Sequence, residues 1–291
     1  MSENKKRQQD EFSYRYPHKV YGSLPGVHHG KSLGTGDSFA GFSDLFDYPD
    51  PRRLDLRATI RDNMATGKNN YLVKRYQQRS PITLWMMADL SRSMAISNVN
   101  HEHLANLTQL VAHSAVGLGD RFGLAGFDSG LRSDVHMMPT RQRSMPVIAA
   151  DMIRDAGPAT SAGVDGLIHA ANMITSNHAI VFLASDFCCD IDVIDKALRQ
   201  LSRYTVVPVV WKHDDVNHLP SHAGWTEMCD SETGERRSIW MRPSIKKRWK
   251  QTMDDHFEQL TACFMHHRVR PLFTDGEVTG EQLTNYFLGR N

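Results

Sequence analysis

A chain of 291 residues is long enough for one large domain or two small ones. Its 40% apolar and 23% charged residues fit a globular protein that folds in water. The formal charge of +1 gives no global attraction to nucleic acid or to an anionic membrane, so neither is expected as a partner.

The first segment, Met1-Ser2-Glu3-Asn4-Lys5-Lys6-Arg7, is polar and does not read as a signal peptide. No run approaches the length of a membrane span, and a cytoplasmic location is the expectation. Residues 1–15 read as disordered, being charged with few apolar anchors. Residues 16–80 read as a loop-rich extension punctuated by Gly, Pro and Asp. Within it, Gly30-Lys31-Ser32 invites comparison with a nucleotide-binding loop. That pattern needs a glycine where Pro25 stands, a strand before it and a helix after it, so a Gly-rich turn is predicted instead. The basic series Arg52, Arg53, Arg57, Arg61, Lys68, Lys74, Arg75 and Arg79 is interleaved with Asp50, Asp55 and Asp62. This reads as a solvated or partner-facing surface, not as a nucleic-acid site.

From Pro81 the pattern changes, and 81–291 reads as one α/β domain. Ile82 to Ala88 is an apolar run predicted to be a buried strand. Leu104, Leu107, Val111, Ala115 and Leu118 share one helical face. Arg121 to Phe127 and Leu131 to Met138 read as a hairpin around Asp128-Ser129-Gly130. Ala179 to Ala184 is a second buried strand. Val193 to Leu201 is a helical stripe, and Tyr204 to Trp211 a strand in which Pro208 marks a bulge or an exposed edge. Two short strands around Glu232-Thr233-Gly234-Glu235 follow. Ile245, Trp249, Met253, Phe257, Leu260 and Phe264 describe a long amphipathic helix, and Val269 to Phe273 and Glu281 to Leu288 a last strand and helix. Alternation of this kind predicts a mostly parallel sheet flanked by helices. Four cysteines, two of them adjacent at Cys188-Cys189, form no C-x-x-C pair and imply reduced, structural thiols.

The chemistry concentrates at strand ends. Asp89, Ser91 and Ser93 are spaced i, i+2, i+4 in the loop leaving the first buried strand, where open α/β sheets place their ligands. The second buried strand ends in Ser185-Asp186. Between them, Gly157-Pro158-Ala159-Thr160-Ser161-Ala162-Gly163 opens a helix-like stretch. Hard oxygens without thiolates or imidazoles suit Mg²⁺, Mn²⁺ or Ca²⁺. On the Asp-x-Ser-x-Ser spacing alone, helix capping explains these residues equally well.

The set Asp89, Ser91, Ser93, Thr160 and Asp186 resembles the metal-ion-dependent adhesion site of von Willebrand factor A domains. The resemblance extends upstream through the Gly-rich segment 26–39, Asp50-Pro51-Arg52-Arg53-Leu54-Asp55-Leu56 and Tyr71-Leu72-Val73-Lys74-Arg75-Tyr76. That order is similar to the bacterial A-domain family encoded beside MoxR-type AAA+ ATPases. Leu56 stands where that family usually has Trp, and Ala159 where it often has Gly, with Ser161 beside Thr160 as an alternative hydroxyl. The resemblance implies a Rossmann-like A domain in which the serines, Thr160 and the two aspartates share one divalent cation. It further implies that an acidic side chain of a partner completes the site, the partner being a MoxR-type ATPase or its client. Metalloenzyme maturation, in one branch methanol oxidation, is the implied setting, with no catalysis.

The rival reading is an α/β serine hydrolase. Ala159-Thr160-Ser161-Ala162-Gly163 is one substitution from a G-x-S-x-G elbow, and Ser161, Asp186 and His213 follow the Ser-Asp-His order. The elbow requires a buried strand immediately before it, whereas Ala149 to Asp155 is helix-like and charged. His101-x-His103 could bind a transition metal but reads first as the start of a helix.

Overall fold

The computed structural model describes residues 11–14, 16, 28–34, 38–67, 69–95, 98–159, 165–212, 224–229 and 236–289. The chain divides into two compact units, Tyr16–Ile82 with Leu118–Asp120, and Met1–Arg15 with Thr83–Gly117 and Arg121–Asn291.

The smaller unit is more regular than its loop-like composition suggested. Strands β1 (His28–Gly34), β2 (Ser38–Asp44) and β3 (Leu72–Ser80) form an antiparallel sheet in the order β1-β3-β2. Helix α1 (Leu56–Thr66) is inserted before β3. Gly30-Lys31-Ser32 lies inside β1, at a register shift against β3, rather than in a turn. Asp55 explains why α1 starts where it does. Its carboxylate accepts from Ala58 N–H at 3.0 Å, capping the helix, and pairs with Lys74 Nζ of β3 at 2.9 Å. The Ala58 hydrogen bond, then Lys74, hold the Asp55 carboxyl below its usual range, and Asp55 in turn raises Lys74. Gly67 closes the helix in the left-handed conformation at φ 67°.

The larger unit is built on a six-stranded sheet. Its elements are β4 (Thr83–Asp89), α2 (Arg92–Ala95), α3 (Asn98–Gly117), β5 (Arg121–Phe127), β6 (Leu131–Thr140), α4 (Met145–Arg154) and α5 (Gly166–Asn172). They continue with β7 (Ala179–Ser185), α6 (Ile191–Gln200), β8 (Thr205–Trp211), the hairpin β9 (Gly224–Cys229) and β10 (Arg236–Met241), α7 (Pro243–His266), β11 (Leu272–Thr274) and α8 (Gly280–Leu288). The sheet order is β11-β8-β7-β4-β5-β6, with β6 closing one edge antiparallel to β5 and the other ladders parallel. This is the mixed α/β architecture that the sequence implied, a mostly parallel sheet flanked by helices.

β4 and β7 are buried at every position, as expected for central strands covered on both faces. Trp85, Met87, Val181 and Leu183 point to one side, where they pack with Leu167, Ile194, Leu198, Leu260 and Phe264 of α5, α6 and α7. Burying each such side chain is worth about 1.5–3 kcal/mol. Phe182 points to the other side, against Phe12 at 5.8 Å and Phe287 of α8 at 6.2 Å between ring centroids. The disorder expected of residues 1–15 therefore fails at 11–14. Phe12 and Tyr14 are buried, and Phe12 N–H donates to Ser114 Oγ of α3 at 2.9 Å. Two aromatics spaced i, i+2 are enough to seat it.

Pro208 lies inside β8, opposite Leu183 of β7. Among the described residues β11 pairs only with Val209–Trp211, so Pro208 stands just before that ladder begins, where β8 has a neighbour on the β7 side alone. α7 is longer than its predicted stripe. Leu260 and Phe264 are buried, while Ile245, Trp249, Met253 and Phe257 remain partly exposed. The predicted turn at 232–235 lies outside the described residues. Among the described residues, no helix is long and apolar enough to cross a membrane.

Candidate metal centre

Asp89 is the last residue of β4, and the register Ala88↔Ala184 brings it beside Ser185 at the end of β7. Ser185 Oγ donates to Asp89 Oδ2 at 2.5 Å, and Asp89 Oδ1 accepts from Ser91 N–H at 2.9 Å. The second bond turns the chain tightly out of the strand, so the Ser91 hydroxyl and that of Ser93, on α2, converge at 3.0 Å. Asp89, Ser91, Ser93, Ser185 and Asp186 are all buried, the most accessible being Ser93 at 8%. Met94 behind them is fully buried packing.

Asp186 follows β7 directly. Its Oδ1 accepts from Cys188 N–H at 3.1 Å, while Ser185 Oγ accepts from Phe187 N–H at 2.8 Å. Between those bonds Phe187 adopts a positive φ of 54°, a conformation that costs a bulky residue on the order of 1–3 kcal/mol. Its ring packs edge-on to Phe264 at 5.3 Å, and its carbonyl meets His256 Nε2 of α7 at 2.9 Å. The turn that follows Asp186 thus has a backbone shape that local preference alone would not give.

Burial, then the negative charge of Asp186, push the Asp89 carboxyl up to about 7; the Ser185 and Ser91 hydrogen bonds oppose the shift. The hydrogen-bond donors to Asp89, Ser91 N–H and Ser185 Oγ, are neutral, and two adjacent buried carboxylates favour a positive charge beside them.

Thr160 lies outside the described residues, as do Ser161 and His213 of the hydrolase reading. Both feet of the Thr160 loop are described, and both are fixed to the β5–β6 hairpin. Arg132, 5% exposed, donates to the carbonyls of Gly157 at 3.0 Å and Pro158 at 3.3 Å. On the far side, Gly166 N–H donates to Asp128 O at 3.2 Å, and a Cβ at Gly166 would sit 2.3 Å from Gly130 O. Arg132 is itself held by a two-pronged pair with Asp134, at 2.8 and 2.6 Å, and by Asp128 Oδ2 at 3.4 Å. Sequence reasoning saw Asp128 only as a turn residue and did not single out Arg132; an arginine on a predicted strand carries no local signal of what it will clamp. Ser185 was visible as a hydroxyl beside Asp186, yet its bond to Asp89 depends on strand pairing. The residues before Ala159 are helix α4 and a strandless stretch, so the strand needed by a nucleophile elbow is not there.

The donor set suits a hard divalent cation. Two cis oxygens of a Mg²⁺ octahedron with bonds of about 2.1 Å stand about 3.0 Å apart. The Ser91 and Ser93 hydroxyls already have that separation, and two carboxylates lie behind them. Bonds of about 2.3–2.6 Å to Ca²⁺ would spread them to about 3.3–3.7 Å.

Fold and site together define an α/β domain with an oxygen-lined, carboxylate-backed centre at the carboxyl ends of its parallel strands. The chain belongs to the DUF58 family, described as proteins of unknown function, which matches residues 50–259. It is similar to an uncharacterised protein of the moxR 3′ region of Paracoccus denitrificans, 30% identical over 103 residues, 35% of this chain and 97% of that one. Among solved structures, the conserved hypothetical protein BatB from Bacteroides thetaiotaomicron aligns with a TM-score of 0.43 and 10% identity, covering 72% of this chain and 97% of that one. An aerotolerance-related membrane protein from Bacteroides fragilis aligns with a TM-score of 0.43 and 11% identity, covering 72% and 98%.

Proposed function

We propose that this chain is a protein-binding module of the von Willebrand A type whose binding depends on a divalent cation, Mg²⁺ or else Mn²⁺ or Ca²⁺, and that it is not an enzyme. The observation that carries the reading is the pair of buried hydroxyls 3.0 Å apart, backed by Asp89 and Asp186. In this reading Ser91, Ser93 and Thr160 would hold the ion directly. Asp89 and Asp186 would act from behind, orienting the serines and balancing charge. When bound, the cation supplies an electron-poor open position that accepts a carboxylate. Neutral hydroxyls leave its charge largely uncancelled, which favours an acidic side chain from outside. Asp89 and Asp186 are the described titratable groups beside the hydroxyls, and in this reading they orient the serines instead of acting as a general base; helix α4, not a strand, precedes Ala159 of the hydrolase reading, whose Ser161 and His213 lie outside the described residues.

The partner proposed is a MoxR-type AAA+ ATPase or the client it remodels, in the cytoplasm, with metalloenzyme maturation, including that of methanol oxidation, as the setting. The relative from Paracoccus denitrificans supports this through its position in the moxR 3′ region. The test is a pull-down of the MoxR-type ATPase encoded nearest this chain, with Mg²⁺ or with EDTA. Wild type is expected to bind only with Mg²⁺, and folded Asp89→Ala and Ser91→Ala variants not at all. Binding by Asp89→Ala in EDTA refutes the proposal.

A further inference from the structure

A second cluster of metal-binding side chains lies away from the strand ends. Asp195 is on α6, Cys263 is near the end of α7, and His267 is the residue that caps α7. Cys263 and His267 are spaced i, i+4, so they project from one helix face. One ligand atom from each of Asp195, Cys263 and His267 lies within 4.8 Å of the others. A thiol, an imidazole and a carboxylate form a softer set than the hydroxyls and carboxylates of the centre described above.

We infer that Asp195, Cys263 and His267 form a separate binding site for a borderline transition-metal cation, Zn²⁺ or Co²⁺, that clips α6 to α7. This stands independently of the proposed function.

Tetrahedral zinc with bonds of about 2.0–2.3 Å places its donors about 3.3–3.8 Å apart. The three atoms lie within 4.8 Å of one another, and the contact between His267 and Asp195 is shorter than that spacing. His267 Nε2 meets Asp195 Oδ1 at 2.7 Å, and must withdraw by roughly 0.6–0.9 Å to share a cation with it. Arg199 holds Asp195 Oδ2 at 2.7 Å, which fixes the carboxylate's orientation while leaving Oδ1 for the ion. The fourth position is left to water or an external donor, as in zinc sites with three protein ligands.

Without a metal, the Arg199–Asp195 ion pair, extended by the Asp195–His267 contact, joins the two helices, and Cys263 takes no part in it. Cys263 is a free, partly buried thiol; burial, then Asp195, push it up in pKa, a penalty that a bound cation reverses. The cysteine therefore separates the two readings: it is dispensable for the ion pair and essential for the metal.

The experiment is a Co²⁺ titration of the full-length, EDTA-stripped and desalted protein in a non-thiol reductant, followed by absorption. The expected result is a thiolate-to-cobalt charge-transfer band saturating at one equivalent and bleached by Zn²⁺. Cys263→Ser should abolish the band, and Asp195→Asn and His267→Asn should weaken Co²⁺ binding at least about 10-fold. The double variant Cys188→Ser/Cys189→Ser and the variant Asp89→Ala should retain it. Zn²⁺ should raise the melting temperature of wild type but not of Cys263→Ser, whose metal-free melt should match wild type. No band at saturating Co²⁺ in folded wild type, or a band that survives in Cys263→Ser, overturns the inference.

Discussion

Replacing Arg132 by Met should destabilise the larger unit by about 3 kcal/mol, the low end of what breaking a buried ion pair costs. Arg132 and Asp128 are 6% and 1% exposed at their side chains, so removing the guanidinium leaves Asp128 as a charge that water cannot reach. The low end applies because Asp128 keeps the Gly130 N–H at 3.0 Å. Asp134, 51% exposed, rehydrates when released, and its share is on the order of 0.5 kcal/mol. Asp134→Asn alone should therefore lose less than about 1 kcal/mol. Because the cost arises from the stranded carboxylate, adding Asp128→Asn to Arg132→Met should recover part of the loss. Urea unfolding followed through Trp85 and Trp211, which are 1% and 2% exposed, reads this unit directly. A loss below about 1 kcal/mol for Arg132→Met, or a double variant weaker by the sum of the singles, refutes the buried-charge reasoning.

Gly166→Ala should cost at least about 1–3 kcal/mol, since its Cβ would meet Gly130 O at 2.3 Å; wild-type urea resistance would show that this loop foot is not tightly docked. Phe12→Ala should cost about 3 kcal/mol by emptying the contact with Phe182 and Phe287, and an unchanged melt would restore the reading of 11–14 as disordered. Asp89 is pushed up from 3.8 to about 7, so between those values the folded state holds a proton that the unfolded chain has lost. Stability in EDTA should then fall as pH rises through that window, and Asp89→Asn should flatten the fall. Mg²⁺ should stabilise wild type more at pH 8 than at pH 5; equal stabilisation at both would contradict a cation that uses ionised Asp89.

The parts legible in the sequence were those carried by periodicity. The all-apolar runs of β4 and β7 and the carboxylates that end them needed no partner to be recognised, and Asp89, Ser91, Ser93 and Asp186 follow from them. What stayed hidden depends on pairing between distant segments. Arg132 acquires its role from Gly157 and Pro158, and Ser185 from Asp89 across a ladder. The smaller unit was misread because Gly, Pro and Asp mark turns whether or not strands lie between them. Its sheet is short and partly exposed, and Phe39 and Phe42 of β2 stay open to solvent, so no alternating pattern stands out. Phe12 was missed for the opposite reason: one or two aromatics in a charged segment give no pattern, yet a preformed apolar slot suffices to bury them.

Two inferred cation sites of different softness change how metal dependence has to be assigned. EDTA removes Mg²⁺ and Zn²⁺ alike, so loss of partner binding in EDTA does not by itself identify the strand-end centre. Restoration does. Hydroxyl and carboxylate oxygens favour Mg²⁺, whereas a site containing the Cys263 thiolate discriminates strongly against it. Binding restored by Mg²⁺ alone therefore belongs to Ser91 and Ser93. Binding restored only by Zn²⁺, and lost in Cys263→Ser, would instead make the α6–α7 clip the element the partner depends on. Two of that clip's three ligands lie beyond residue 259, where the family match ends, while Asp89, Ser91, Ser93 and Asp186 all lie within it.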